Sequence, residues 1–202
     1  MTLIFWFQFA AVCLAGAMSP GPSLALIIRN STKYNRLGGI MSAIGHGLGM
    51  GIYAIFAVTG LIIIMTTNIY IFKSIQIAGI IFLFIFGILF IIQKKEELNI
   101  ENNQNKLNSF LQGFSISILN PKILIWFSAV FSQFVRSDST FLTNSILVIT
   151  ASAIDCIWYI MVALIVTSYG LKNFFQKRIN AIQKISGSLL VIISILLVVD
   201  FF

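Results

Sequence analysis

Two short stretches, Ser19-Pro20-Gly21-Pro22 and Asn120-Pro121-Lys122, hold all three prolines of this chain, and each interrupts a long apolar run. In both, a good cap residue (Ser19, Asn120) stands directly before a proline (Pro20, Pro121). A cap oxygen takes a free N–H and proline suits the first helical position, so the pattern predicts a helix that stops and restarts. Inside a membrane such a break leaves backbone polar groups unpaired, which is tolerated only where protein or a water-filled cavity receives them. The two breaks are therefore expected to form two halves of one binding site. Ser19, Pro20, Gly21 and Pro22 belong to one half, and Asn120, Pro121 and Lys122 to the other.

The membrane setting follows from composition. The chain is 58% hydrophobic and 9% charged, with a mean hydropathy of +0.99; a soluble domain carries about 25% charged residues. Six segments are long and apolar enough to span a bilayer: Leu3–Ile28, Gly38–Thr66, Tyr70–Ile92, Ser109–Phe134, Phe141–Tyr169 and Asn180–Val199. The longest connection, Gln93–Asn108, holds Glu96, Glu97 and Glu101 and reads as a polar surface loop. No Lys or Arg precedes Arg29, so the first apolar run lacks a signal peptide's positive region and reads as the first membrane helix.

The net charge of +7 is explained by topology rather than by nucleic acid. Arg29, Lys33 and Arg36, then Lys94, Lys95 and Lys106, then Lys172, Lys177, Arg178 and Lys184 fall on one side; only Lys73 and Arg136 fall on the other. The positive-inside rule puts the first group in the cytoplasm and both termini outside.

Six spans divide into two halves, about 1–93 and about 108–202, within a single membrane domain of residues 1–202. Each first helix carries a cap-proline break. Each second helix ends in a Gly-Leu pair (Gly60-Leu61; Gly170-Leu171), and each third opens toward a small pair (Ala78-Gly79; Ser186-Gly187). Three spans per half force the second half to enter from the opposite side. The expected fold is all-α, a 3+3 inverted repeat with helices 1 and 4 broken, as in many secondary transporters.

With these features on the page, the chain resembles the LysE/RhtB family of amino-acid exporters over nearly its whole length. The resemblance rests on Ser19-Pro20-Gly21-Pro22 followed by Arg29, and on the glycines Gly38, Gly39, Gly45, Gly47, Gly49 and Gly51. It continues through Asn120-Pro121-Lys122, Gln133-Phe134, and Asp155 with Trp158. Two departures are Ser132, where the family often has proline, and Phe82-Leu83 after Gly79, where it often has Tyr-Leu. The resemblance implies a carrier in the bacterial plasma membrane that exports small amino acids or related metabolites, driven by the proton gradient. Its partners would be the lipid bilayer and an amino acid, with a homodimer as the assembly to consider, and no cofactor, metal or nucleic acid.

An ionisable group inside the membrane is costly, and so is a functional hypothesis by default. Asp155, midway along the fifth span, either binds a substrate ammonium or cycles a proton, or else forms a structural ion pair with Lys122. Lys122 opposes the dipole of the restarted helix, which calls for a bound carboxylate or Asp155 as partner; the alternative is snorkelling to the interface. His46 either relays protons or is a neutral side chain satisfied by a backbone carbonyl; it and Asp155 are the two candidates for proton coupling. The glycines around it read as tight packing against the first helix, with sliding during transport as an addition. Arg29 reads as an interface anchor rather than a substrate gate.

The substrate carboxylate would sit on free N–H groups near Pro20-Gly21 or Pro121-Lys122, where Gly21 has no side chain to block approach. The ammonium would turn toward Asp155, and protonation of Asp155 would release it. Cys13 and Cys156 read as core residues; a membrane thiol carrier is the competing class they raise, and a metal-ion exporter is a second. No nucleophile–base set is evident, so an enzyme is not expected. The phenylalanines and methionines read as packing and lipid contact rather than selectivity.

Overall fold

The computed structural model describes residues 2–92, 108–136, 139–168 and 171–201; the side chains of residues 121, 122, 171–179, 200 and 201 lie outside that description. Its regular elements are helices, with no strand among the described residues. They are α1 (Leu3–Ala17), α2 (Pro22–Lys33), α3 (Asn35–Thr67), α4 (Ile69–Ile92), α5 (Ser109–Leu119), α6 (Pro121–Phe134), α7 (Phe141–Thr167) and α8 (Leu171–Phe201). Four segments are each long and apolar enough to cross a membrane: α3, α4, α7 and Asn180–Val199 of α8. The pairs α1–α2 and α5–α6 pass only together, each bent by 65°, so four to six candidate spans result. At 1.5 Å per residue, α1 reaches about 22 Å, short of a hydrocarbon core of about 30 Å.

At the first break the chain departs from expectation. The N–H groups of Met18 and Ser19 close α1 on Leu14 and Gly16. The next helix begins at Pro22, not Pro20, with Gly21 in the cap position and no side-chain cap. Both prolines suit a first helical position, and the second takes it. A residue before proline is driven to extended backbone, and Gly21 is fully extended (φ 172°, ψ −173°). The Ser19 hydroxyl reaches the Pro20 carbonyl at 3.4 Å instead of capping α2. At the second break Asn120 is extended and α6 starts at Pro121. A helix that stops leaves its last carbonyls without helical partners. One of them, Ile118, accepts the Tyr53 hydroxyl at 2.6 Å.

Helix α3 is the centre of the bundle, and its glycines explain how. A Cβ on Gly45 would strike the Phe110 backbone of α5, and one on Gly49 would strike Ser117. Gly47 lies against Cys156 of α7. Gly45, Gly47, Gly49 and Gly51 therefore pack on α5 and α7, not on the first helix as their spacing suggests; Gly38 and Gly39, near the start of α3, meet Asn30 and Ser31 of α2. In lipid there is no hydrophobic force between helices, so close backbone approach supplies the attraction. The pairs Gly39–Ala163, Gly47–Cys156 and Gly51–Ser152 show that α3 and α7 run antiparallel. Helix α4 packs on α8, where Gly87 and Gly187 meet backbone to backbone.

Helix α3 runs to Thr67, one residue past the expected span, so Gly60 lies inside it rather than closing it. Gly170 and, but for Asn108, the loop Gln93–Asn108 lie outside the described residues. The outer surface is apolar: Phe56 is 68% and Phe141 89% exposed, an arrangement suited to lipid and a liability in water.

Candidate functional site

The two breaks and the two titratable residues singled out in the sequence meet at one cavity of about 70 Å³. The first break contributes Ser19, Pro20, Gly21 and Pro22; the second contributes Asn120. His46 comes from α3, and Asp155 and Tyr159 from α7. The side chain of Lys122 lies outside the described residues, and with it the expected pairing to Asp155.

Asp155 is 2% exposed. Its Oδ2 lies 2.7 Å from His46 Nδ1, and His46 Nε2 lies 2.8 Å from Ser23 Oγ. Both histidine nitrogens are thus engaged by side chains, which corrects the alternative of a backbone carbonyl partner. With a neutral ring, Nδ1–H donates to the carboxylate and Nε2 accepts from the Ser23 hydroxyl; with a charged ring, both nitrogens donate. The Tyr159 ring packs edge-on against the imidazole at 4.9 Å between centroids. The second carboxylate oxygen, Oδ1, is buried with no hydrogen-bond partner among the described residues. A buried carboxylate oxygen left bare is expensive, and this one belongs to a residue lining a cavity.

Ser23, at the start of α2, was missed from the sequence, and it gives the site more than a lone acid and a lone base. Ser23, His46 and Asp155 stand in the hydrogen-bonding order of hydroxyl, imidazole and acid, contrary to the expectation that no nucleophile–base set exists. Such a chain can pass a proton from end to end.

The rest of the lining is largely apolar. Trp126, Phe127, Val130 and Phe131 of α6 contribute to it with Phe86 of α4 and Met50 of α3. Aromatic residues read as packing and lipid contact therefore also face the site. Cys13 lines the cavity too, rather than serving packing alone, and both cysteines are free. Among the described residues no group of three or more His, Cys, Asp or Glu could hold a metal.

Arg29 is 9% exposed within α2, not an anchor projecting to an interface. Beside it in sequence, Asn30 donates to Ser42 at 2.7 Å and to Gln112 at 2.9 Å, tying α2 to α3 and α5.

With the geometry in place, comparisons with known proteins give the chain its relatives. The threonine efflux protein of Escherichia coli (strain K12) is 25% identical, over 93% of this chain and 94% of its own length. An uncharacterized membrane protein of Bacillus subtilis (strain 168), YrhP, is 25% identical over 85% of this chain and 88% of its own. The homoserine/homoserine lactone efflux protein of Salmonella typhimurium is 22% identical over 98% and 97%. No solved structure matches the chain significantly. The model of the LysE type translocator family matches residues 14–200, and this multi-pass membrane protein belongs to that family.

Proposed function

We propose that the protein exports small amino acids or related metabolites across the bacterial plasma membrane, coupled to inward movement of protons. The observation that carries this reading is a buried carboxylate with one oxygen held by His46 and the other bare, lining a cavity between two helix breaks. A substrate ammonium fits the bare oxygen. The substrate carboxylate fits the start of α2 or α6, where free N–H groups and the positive dipole end favour anions. Gly21 leaves that approach open, since a Cβ there would meet nothing within 4 Å. A proton arriving at Asp155 along the Ser23–His46 chain cancels the charge that holds the ammonium, and the substrate leaves. Relatives named for threonine and homoserine efflux support the substrate class.

In this reading each bent pair is one broken span, the halves form a 3+3 inverted repeat, and both termini face outward. Three features support the repeat. Helices α3 and α7 are antiparallel, α1 packs on α7 as α5 packs on α3, and α2 packs on α7 as α6 packs on α3. The Gly87–Gly187 contact between α4 and α8 fits a two-fold relation as well.

The test is an efflux assay. Cells expressing the protein are preloaded with dipeptides, and the released amino acids are identified. Release of one or a few small amino acids above the empty-vector level is expected; no release of any amino acid would refute the reading.

A further inference from the structure

The cavity lining is of two kinds: Asp155, His46 and Ser23 form a hydrogen-bonded polar group, and α4 and α6 supply an aromatic wall. An amino acid whose ammonium and carboxylate are taken by the polar part must lay its side chain against the wall. Trp126 is the largest residue there, and its position depends on Gly16 of α1. A Cβ on Gly16 would lie 2.5, 2.6 and 2.9 Å from Cζ2, Cε2 and Nε1 of the indole. Those are atoms of a rigid ring, not the end of a flexible chain. On its other sides the ring meets Phe86 at 5.6 Å and Phe82 at 6.5 Å between centroids. The indole is therefore seated as deep against α1 as a helix backbone allows, and it cannot retreat further.

The remaining space is small. A water needs about 10–15 Å³ in this measure, so about 70 Å³ holds a handful of non-hydrogen atoms. Asp155 is the one carboxylate on the cavity among the described residues, so with the ammonium on Asp155 a basic side chain would find no second carboxylate there. We propose that Trp126, seated on Gly16, is the size gauge of the site. It restricts the transported amino acid to a short aliphatic or hydroxylated side chain and excludes aromatic and basic ones. This inference rests on the exporter reading; Trp126 touches the substrate, and Gly16 acts as a positioning residue through it.

The test measures efflux of alanine, threonine, leucine, phenylalanine and lysine from proteoliposomes of the purified protein. In wild type, alanine and threonine lead. W126A raises the phenylalanine-to-alanine ratio by about tenfold or more, since pocket size discriminates by roughly that factor per methylene. G16A drives the indole into the cavity and acts in the opposite direction, losing threonine and leucine before alanine. G16A removes no packing atom, and W126F makes a milder cut, so the size ranking stays readable where W126A fails to accumulate. An unchanged ranking in G16A and in a folded Trp126 variant overturns the gauge while leaving the exporter intact. A wild type that exports no amino acid overturns both.

Discussion

His46 Nδ1 lies 2.7 Å from Asp155 Oδ2, and this contact joins α3 to α7 at the wall of a cavity that both helix breaks reach. With Ser23 on the other ring nitrogen, the imidazole cannot change its proton position without its neighbours changing theirs. The carboxylate, the ring and the hydroxyl therefore act as one unit.

The members of that unit differ in weight. Ser23→Ala removes one neutral hydrogen bond, worth about 1 kcal/mol, and should slow efflux by roughly fivefold. His46→Asn cuts the chain in the middle and should slow it by about a hundredfold, the scale of a lost proton-transfer group. Initial efflux rates in proteoliposomes, normalised to protein, decide the order; a His46→Asn rate within about twofold of wild type would mean that His46 only packs.

Two glycines separate stability from function. Gly45 lies on the Phe110 backbone, so Gly45→Ala forces α3 from α5 and should cost about 1–3 kcal/mol. Gly21 is extended, a conformation any residue adopts, and faces open space. Gly21→Ala should leave stability within about 0.5 kcal/mol of wild type while raising KM, because the new methyl stands at the cavity. Thermal unfolding in detergent beside a KM measurement distinguishes the two.

Cys13 lines the cavity and is free. A small thiol-directed methanethiosulfonate should therefore inhibit efflux, and excess substrate should protect. The double variant Cys13→Ala/Cys156→Ala should keep efflux within about twofold, as expected for small packing residues. Loss of all activity in it would instead favour a thiol carrier.

The bends between α1 and α2 and between α5 and α6 fall where the sequence carries its prolines, because proline chemistry is local, and Asp155 stood out because charge is scarce in an apolar chain. The start of α2 was misplaced by two residues, since Pro20 and Pro22 satisfy the same local rule and only packing chooses between them. The glycines announced close helix contact without naming α5 and α7, because spacing on one helix carries no information about its neighbour. His46 and Asp155 were each visible, but a contact across 109 residues was not. Ser23 looked like any helical serine, and Trp126 and Phe86 were lost among nineteen phenylalanines and three tryptophans. Arg29 reads in the sequence as an interface anchor because it closes the first apolar run; its burial follows from the tertiary packing of α2.

The most direct measurement is amino-acid efflux from substrate-loaded proteoliposomes with the outside made acidic, comparing wild type with Asp155→Asn. The amide keeps the shape of the side chain but carries neither the charge nor the exchangeable carboxyl proton. The account predicts that the inward proton gradient accelerates wild-type efflux and has no effect on the variant. Gradient-driven efflux retained in full by Asp155→Asn would contradict it.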